Sequence, residues 1–235
     1  MVLERLLANQ TALPDGFEQA ATPVAAAIQH DKSGSGEKQA VGRDSCVVGS
    51  RRQLGGLWVL SRPRLGAYGM GMQRVLGIDP GIRITGFGIV DLADGGLEPT
   101  LVEAGIIRLD GKMSVEKRLG QLHAELAELI QLHQPHRMAV EKLYVHYRHP
   151  RTAIIMAHAR GVILLCAQQR KIPIEHLPST EVKKAITGYG LASKEQMQLA
   201  VQSQCGLSGL PEPPDVADAI AIALVAARRI AVAGL

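Results

Sequence analysis

The chain has 235 residues, 46% of them hydrophobic, with a formal net charge of +4 and a pI near 9.1, which is enough apolar material for one globular domain and an appendage. No run approaches the ~18 uninterrupted apolar residues of a membrane-spanning helix, and the N-terminus lacks a basic segment followed by an apolar stretch. Three widely spaced cysteines, Cys46, Cys166 and Cys205, make neither a disulfide framework nor a zinc pattern, so the expectation is a reduced, cytoplasmic protein without membrane association.

Residues 1–71 mix Ala, Gln, Gly, Ser and Pro without sustained periodicity, and DKSGSGEKQAVGRDS holds too little apolar surface to offset its ordering entropy. The expectation is a disordered or extraneous extension over 1–71 and one folded domain over 72–235. The change at LGAYGMGMQRVLGIDPG is abrupt, and Met70 and Met72 stand at it, which marks this point as the expected start of translation.

From residue 74 the elements follow in order. Val75 to Asp79 reads as a buried strand, Pro80-Gly81 as a turn, and Thr85 to Val90 as a second strand whose glycines permit close backbone approach. Leu101 to Leu109 reads as a third antiparallel strand. Ser114 is placed to cap a helix in which Val115, Leu119, Leu122, Leu126, Leu129 and Ile130 follow the 3.6 period, ending before Pro135. Arg137 to Glu141 is a short strand closed by a carboxylate. Pro150 to Gln169 reads as a helix apolar on several sides, and Gly161 within it suggests close helix packing or an oligomer interface. KIPIEHL gives a further strand, Ser193 and Gln196 make a capping box for a helix running to Gly206, and Pro213-Pro214 introduce a last helix from Asp215 to about Ala231. Three antiparallel strands followed by strands alternating with helices specify an α/β fold with a mixed sheet flanked by helices.

Four acids stand out. Asp79 and Glu141 end apolar strands, where burial without a partner is costly, and Asp215 and Asp218, three residues apart, share one face at the start of a helix. Singly, Asp215 reads equally well as a helix cap or dipole partner, and Asp79 before Pro-Gly as an ordinary turn residue. Together they can converge on one cleft, where clustered carboxylates repel unless cations neutralise them. Hard oxygen donors without a His/Cys set favour Mg²⁺ or Mn²⁺ over zinc, and two such ions, about 3.5–4 Å apart, suit in-line hydrolysis of a phosphodiester.

Charge is unevenly placed. Lys142 to Lys194 holds nine Lys/Arg against two acids, whereas Asp79 to Glu141 holds ten acids against six basic residues, an asymmetry suited to a polyanionic partner. His146, His149 and His158 lie close in sequence, but a loop-to-helix crossing scatters them, which disfavours a zinc site.

VLGIDPGIRITGFGIV, AVEKLY, ARGV, EVKKAITGYG, SKEQMQ and PPDVADAIAIAL together resemble the RuvC family of junction-resolving endonucleases, over about Arg74 to Arg229. The resemblance implies an RNase H-like fold, a homodimer, and paired symmetric incisions across a four-way (Holliday) junction that leave 5′-phosphate and 3′-hydroxyl ends. It implies that Asp79, Glu141, Asp215 and Asp218 carry two Mg²⁺ per subunit, replaceable by Mn²⁺, and that Lys183 and Lys194 hold the scissile phosphate and oppose charge in the transition state. Tyr144 matches a position where an aromatic stacks on an unpaired base near the branch point; Lys142 and Leu143 depart mildly from the family's local sequence. Arg148, Arg151, Arg160 and Lys184 are further candidate DNA contacts, although Arg160 has a reading in helix packing. The implied partner beyond DNA is the RuvA–RuvB branch-migration complex. An actin-like kinase also carries an acid among glycines in its first hairpin, but needs a longer chain with a second nucleotide-gripping hairpin. A catalytically silent junction binder would not need all four acids, and related resolvases acting on other branched substrates are the nearest alternative.

Overall fold

The computed structural model describes residues 51–54, 57–61, 71–143 and 150–234. Its strands are β1 (Arg51–Leu54), β2 (Leu57–Ser61), β3 (Met72–Asp79), β4 (Ile84–Ala93), β5 (Thr100–Arg108), β6 (Arg137–Glu141) and β7 (Ile174–Leu177). The helices are α1 (Val115–His133), α2 (Pro150–Gln169), α3 (Ser179–Thr187), α4 (Lys194–Cys205) and α5 (Pro214–Ala233). They build one mixed sheet of order β1-β2-β5-β4-β3-β6-β7. As the sequence predicts, β3, β4 and β5 are antiparallel, and β6 and β7 join β3 in parallel.

The pleat sends successive side chains to opposite faces. Val75, Val90, Ala104, Ile106 and Ala139 pack with α3, α4 and α5 on one face. Leu76, Ile78, Phe87, Ile89, Ile107, Met138 and Val140 meet α1 and α2 on the other. The predicted apolar stripe of α1 supplies Leu122, Leu126, Leu129 and Ile130 to this second core.

Glycines determine how α5 sits. A Cβ on Gly77 would lie 2.4 Å from the Ala219 carbonyl oxygen, one on Gly86 2.1 Å from that of Asp215, and one on Gly88 2.8 Å from Ile220 Cα. Only bare backbone leaves room here, so α5, presenting buried Ala217, Ala219, Ala221 and Ala223, lies directly on β3 and β4. The close approach expected from the glycines of the second strand is met, and its consequence is that the first turns of α5 reach the end of β3.

Local detail differs from expectation in places. The Ser193–Gln196 capping box is present in both directions. Ser114 occupies the cap position of α1, but its hydroxyl does not bond to the backbone; it pairs with the Glu116 side chain, holding that carboxyl below its usual range. The nine-residue α3 was not anticipated: Val182 and Ile186 are its only buried positions, too few to display a period. Last, β1 and β2 fall inside the segment expected to be disordered or extraneous, and β2 pairs antiparallel with the edge of β5.

Candidate active site

Ile78 pairs with Val140 in the parallel register, so the next residues, Asp79 and Glu141, end adjacent strands side by side. Gly86 is the antiparallel partner of Asp79, and the Asp215 carbonyl sits on Gly86. The glycine contact therefore carries Asp215, and one turn further Asp218, to the same end of the sheet. All four side chains are half-buried.

The electrostatics show that the four acids share one cleft. Burial pushes Asp79 well above the ordinary carboxylate range, and the charges of Glu141, Asp218 and Asp215 push it further, with Lys194 opposing. Burial also raises Glu141, reinforced by Asp218 and opposed by hydrogen bonds from Ser179 and Asp79 and by the charge of Lys183. Asp218 is raised by burial and by Asp215, against Lys194 and Lys183. Among the described residues no three carboxylate, histidine or cysteine side chains converge tightly enough to share one ion as they stand.

Lys183 on α3 and Lys194 at the start of α4 are the cations that the acids feel, which places both predicted lysines on the cleft. Lys184, its neighbour on α3, is exposed and does not enter the acids' surroundings. Arg160 is committed elsewhere: its Nε donates to the Glu141 carbonyl at 3.2 Å and its Nη2 lies 2.8 Å from His176 Nδ1, tying α2 to the end of β6. This is the packing alternative, with the effect of holding Glu141 in place. Tyr144, Arg148, His146 and His149 lie outside the described residues, as does the side chain of Arg151.

Two supporting residues were not anticipated. Ser179, the first residue of α3, hydrogen-bonds Glu141, and Arg118 donates to the Ile82 carbonyl at 3.4 Å, steadying the loop after Asp79. A serine behind the proline that ends β7 was the available signal for the first; the second depends on a contact between residues 36 apart.

The family model for the crossover junction endodeoxyribonuclease RuvC matches residues 75–226. The chain belongs to the RuvC family. It is 47% identical over 150 residues to the crossover junction endodeoxyribonuclease RuvC of Rhodopirellula baltica, covering 64% of this chain and 83% of that protein. It is 43% identical over 152 residues to that of Caldicellulosiruptor saccharolyticus, covering 65% and 90%. The Thermus thermophilus RuvC structure superposes with a TM-score of 0.61 at 32% identity, over 69% of this chain and 98% of the other. The same protein in complex with a Holliday junction substrate gives 0.62 at 32% identity, over 69% and 97%. The RuvC match contains all four acids and both cleft lysines, and the RNase H-like α/β class expected from the sequence is the class observed.

Proposed function

We propose that this chain is a crossover junction endodeoxyribonuclease that resolves four-way DNA junctions in recombination and repair, using divalent cations held by Asp79, Glu141, Asp215 and Asp218. The observation that supports it best is the convergence of Asp79 and Glu141, at adjacent strand ends, with Asp215 and Asp218, on the first turns of α5, in one cleft faced by Lys183 and Lys194. Oxygen donors alone, repelling one another, fit hard Mg²⁺ or Mn²⁺, two per subunit, better than a softer ion. When bound, such ions lower the pKa of water and neutralise charge on a phosphate undergoing in-line displacement.

The chain's own groups do the rest. Asp79 and Glu141 are fixed by adjacent strands, Asp215 and Asp218 by the seating of α5, and Arg160 and Ser179 hold Glu141 from either side. Lys183 and Lys194 attract the scissile phosphate and stabilise charge developing on it, so that hydrolysis yields 5′-phosphate and 3′-hydroxyl ends. Lys183→Ala and Lys194→Ala are each expected to lower single-turnover cleavage by about 10²-fold, with junction affinity falling much less; an unchanged rate would return these lysines to the solvated surface.

Tyr144 is assigned to stacking on an unpaired base beside the branch point, and Arg148, Arg151 and Lys184 to phosphates outside the centre. Tyr144→Ala should reduce cleavage more than binding; equal losses in a gel-shift and a nicking assay would mark it as a docking residue only.

Symmetric nicking calls for two copies. On α2, Ile154 is 57% and Leu165 52% exposed, and the Cβ of a residue at Gly161 would meet nothing within 4 Å, which leaves an apolar stripe available to a second protomer. Leu165→Glu is expected to shift light-scattering mass from dimer to monomer and to uncouple the two incisions. The cleaving unit is assigned to residues 72–235, with RuvA–RuvB as the accompanying complex and the cytoplasm as the site of action.

The test is a labelled four-way junction and a linear duplex of the same sequence, each with and without Mg²⁺. Nicks confined to the junction and dependent on Mg²⁺ support the reading. Binding without nicking would make the chain a silent junction binder, and equal cutting of the duplex a general nuclease.

A further inference from the structure

The carboxylates occupy one part of the sheet's end, and a second feature lies beside them. A groove of about 740 Å³ opens where the β3–β4 loop meets the segment following β5, walled by Arg83, Arg108, Asp110, Gly111, Lys112 and Gln121. Arg108 pairs in register with Ile84, the first residue of β4, so Arg83 and Arg108 stand across from each other at the end of the sheet that carries Asp79. Arg83, Arg108 and Lys112 are exposed, and none takes part in an ion pair among the described residues. The single acid of the groove, Asp110, turns its carboxylate onto the Lys112 backbone N–H at 2.8 Å.

The frame around these cations is rigid. The Thr85 hydroxyl donates to the Gly81 carbonyl at 2.7 Å, and the Leu109 N–H donates to the Arg83 carbonyl at 2.9 Å. Arg118 grips the Ile82 carbonyl between them. A Cβ on Gly111 would lie 3.8 Å from Arg83 Nε, so the two loops meet with the guanidinium between them. The backbone that carries these cations is held by hydrogen bonds, so only their side chains must order on meeting an anion, and a guanidinium fork matches two phosphate oxygens.

We propose that this groove is a phosphate-binding site that grips the DNA strand crossing the carboxylates, within about three nucleotides of the bond cut. The inference rests on the proposed junction cleavage and adds a second anchor to it. The spacing follows from the sheet: β5 lies two strands from β3, about 10 Å at the usual 4.8 Å between strands, and a duplex rises 3.4 Å per nucleotide along its axis, so about three nucleotides is the upper bound. Lys183 and Lys194 approach the carboxylates from α3 and α4, on the face of the sheet that also carries α5, so they and the groove are two separate basic groups along the strand's path. Such contacts fix register without reading sequence.

The test uses the full-length wild-type chain, the double variant Arg108→Gln/Lys112→Gln, and a charge-matched control, Arg137→Gln/Lys171→Asn, at the opposite end of the sheet. Four-way junction affinity is measured by fluorescence anisotropy in EDTA across a salt series. Methylphosphonate linkages are then placed one at a time, one to five nucleotides to either side of the cut. The groove variant is expected to reduce the slope of log affinity against log salt by about 2, near 0.9 per lost phosphate contact, with the control retaining the wild-type slope. A neutral linkage within about three nucleotides, on one side, should weaken wild type severalfold and leave the groove variant unaffected. A wild-type slope in the groove variant, an equal loss in the control, or identical linkage profiles for variant and wild type overturns the proposal while leaving junction cleavage standing. Failure of wild type to bind the junction at all overturns both.

Discussion

Asp79→Asn is expected to lower junction cleavage by about 10³-fold, the scale of removing one charge-stabilising group from a transition state, while leaving junction binding close to wild type. The same substitution should raise the melting temperature of the metal-free protein. Desolvation of the half-buried Asp79, and then the charges of the three other carboxyls, hold its folded pKa well above the ordinary 3.8. A carboxyl raised in this way costs no stability below its ordinary pKa, where folded and unfolded states are both protonated. It costs progressively more as pH rises toward the folded value, because only the unfolded state releases the proton freely. The gain from asparagine should therefore be absent near pH 3, grow above pH 4, and reach on the order of 3 °C at neutral pH. Mg²⁺ should shrink it by neutralising the wild-type cleft. Thermal melts of both proteins across pH, with and without Mg²⁺, check the pattern; a variant less stable than wild type at neutral pH would remove carboxylate repulsion from the account.

Gly86→Ala tests the seating of the site instead of its charge. The added Cβ would lie 2.1 Å from the Asp215 carbonyl oxygen and 2.8 Å from its carbon, so the start of α5 must move. Overpacking of this kind costs about 1–3 kcal/mol, and displacing Asp215 and Asp218 by about 1 Å lowers the rate by about 10²-fold. Gly120→Ala on exposed α1 is the counterpart: its Cβ meets nothing within 4 Å, and the substitution should stabilise by about 1 kcal/mol with cleavage unchanged. Melting curves beside single-turnover cleavage separate the two. A Gly86→Ala protein cutting at the wild-type rate would show that α5 does not set the geometry of the acids.

Elements with a strong local signal were legible in the sequence. The apolar runs of β3, β4 and β5, the 3.6-residue stripe of α1 and the Ser193 box each lie within one element or its cap. The glycines of β4 announced a close approach but not what approaches; that α5 lands there depends on the order of the whole sheet. The four acids were visible as strand-end and helix-start carboxylates, and the fold brings them together because two adjacent strand ends and the first turns of α5 meet at one end of the sheet. What escaped notice was non-local or short: α3 with two buried residues, the bond from Ser179 to Glu141, the commitment of Arg160 to the Glu141 carbonyl, and strand pairing by β2. Junction specificity was never present in the carboxylates themselves; it came from the RuvC resemblance, now matched over residues 75–226.

The central claim is that four carboxylates at one end of the sheet form a cation-dependent cleaving centre. Its most direct test is an anomalous difference map from crystals of the chain grown in Mn²⁺. The account predicts peaks in contact with Asp79, shared with Glu141 and the Asp215–Asp218 pair, and lost in Asp79→Asn crystals. A map with no manganese at these acids, or with manganese bound only by histidines, would contradict it.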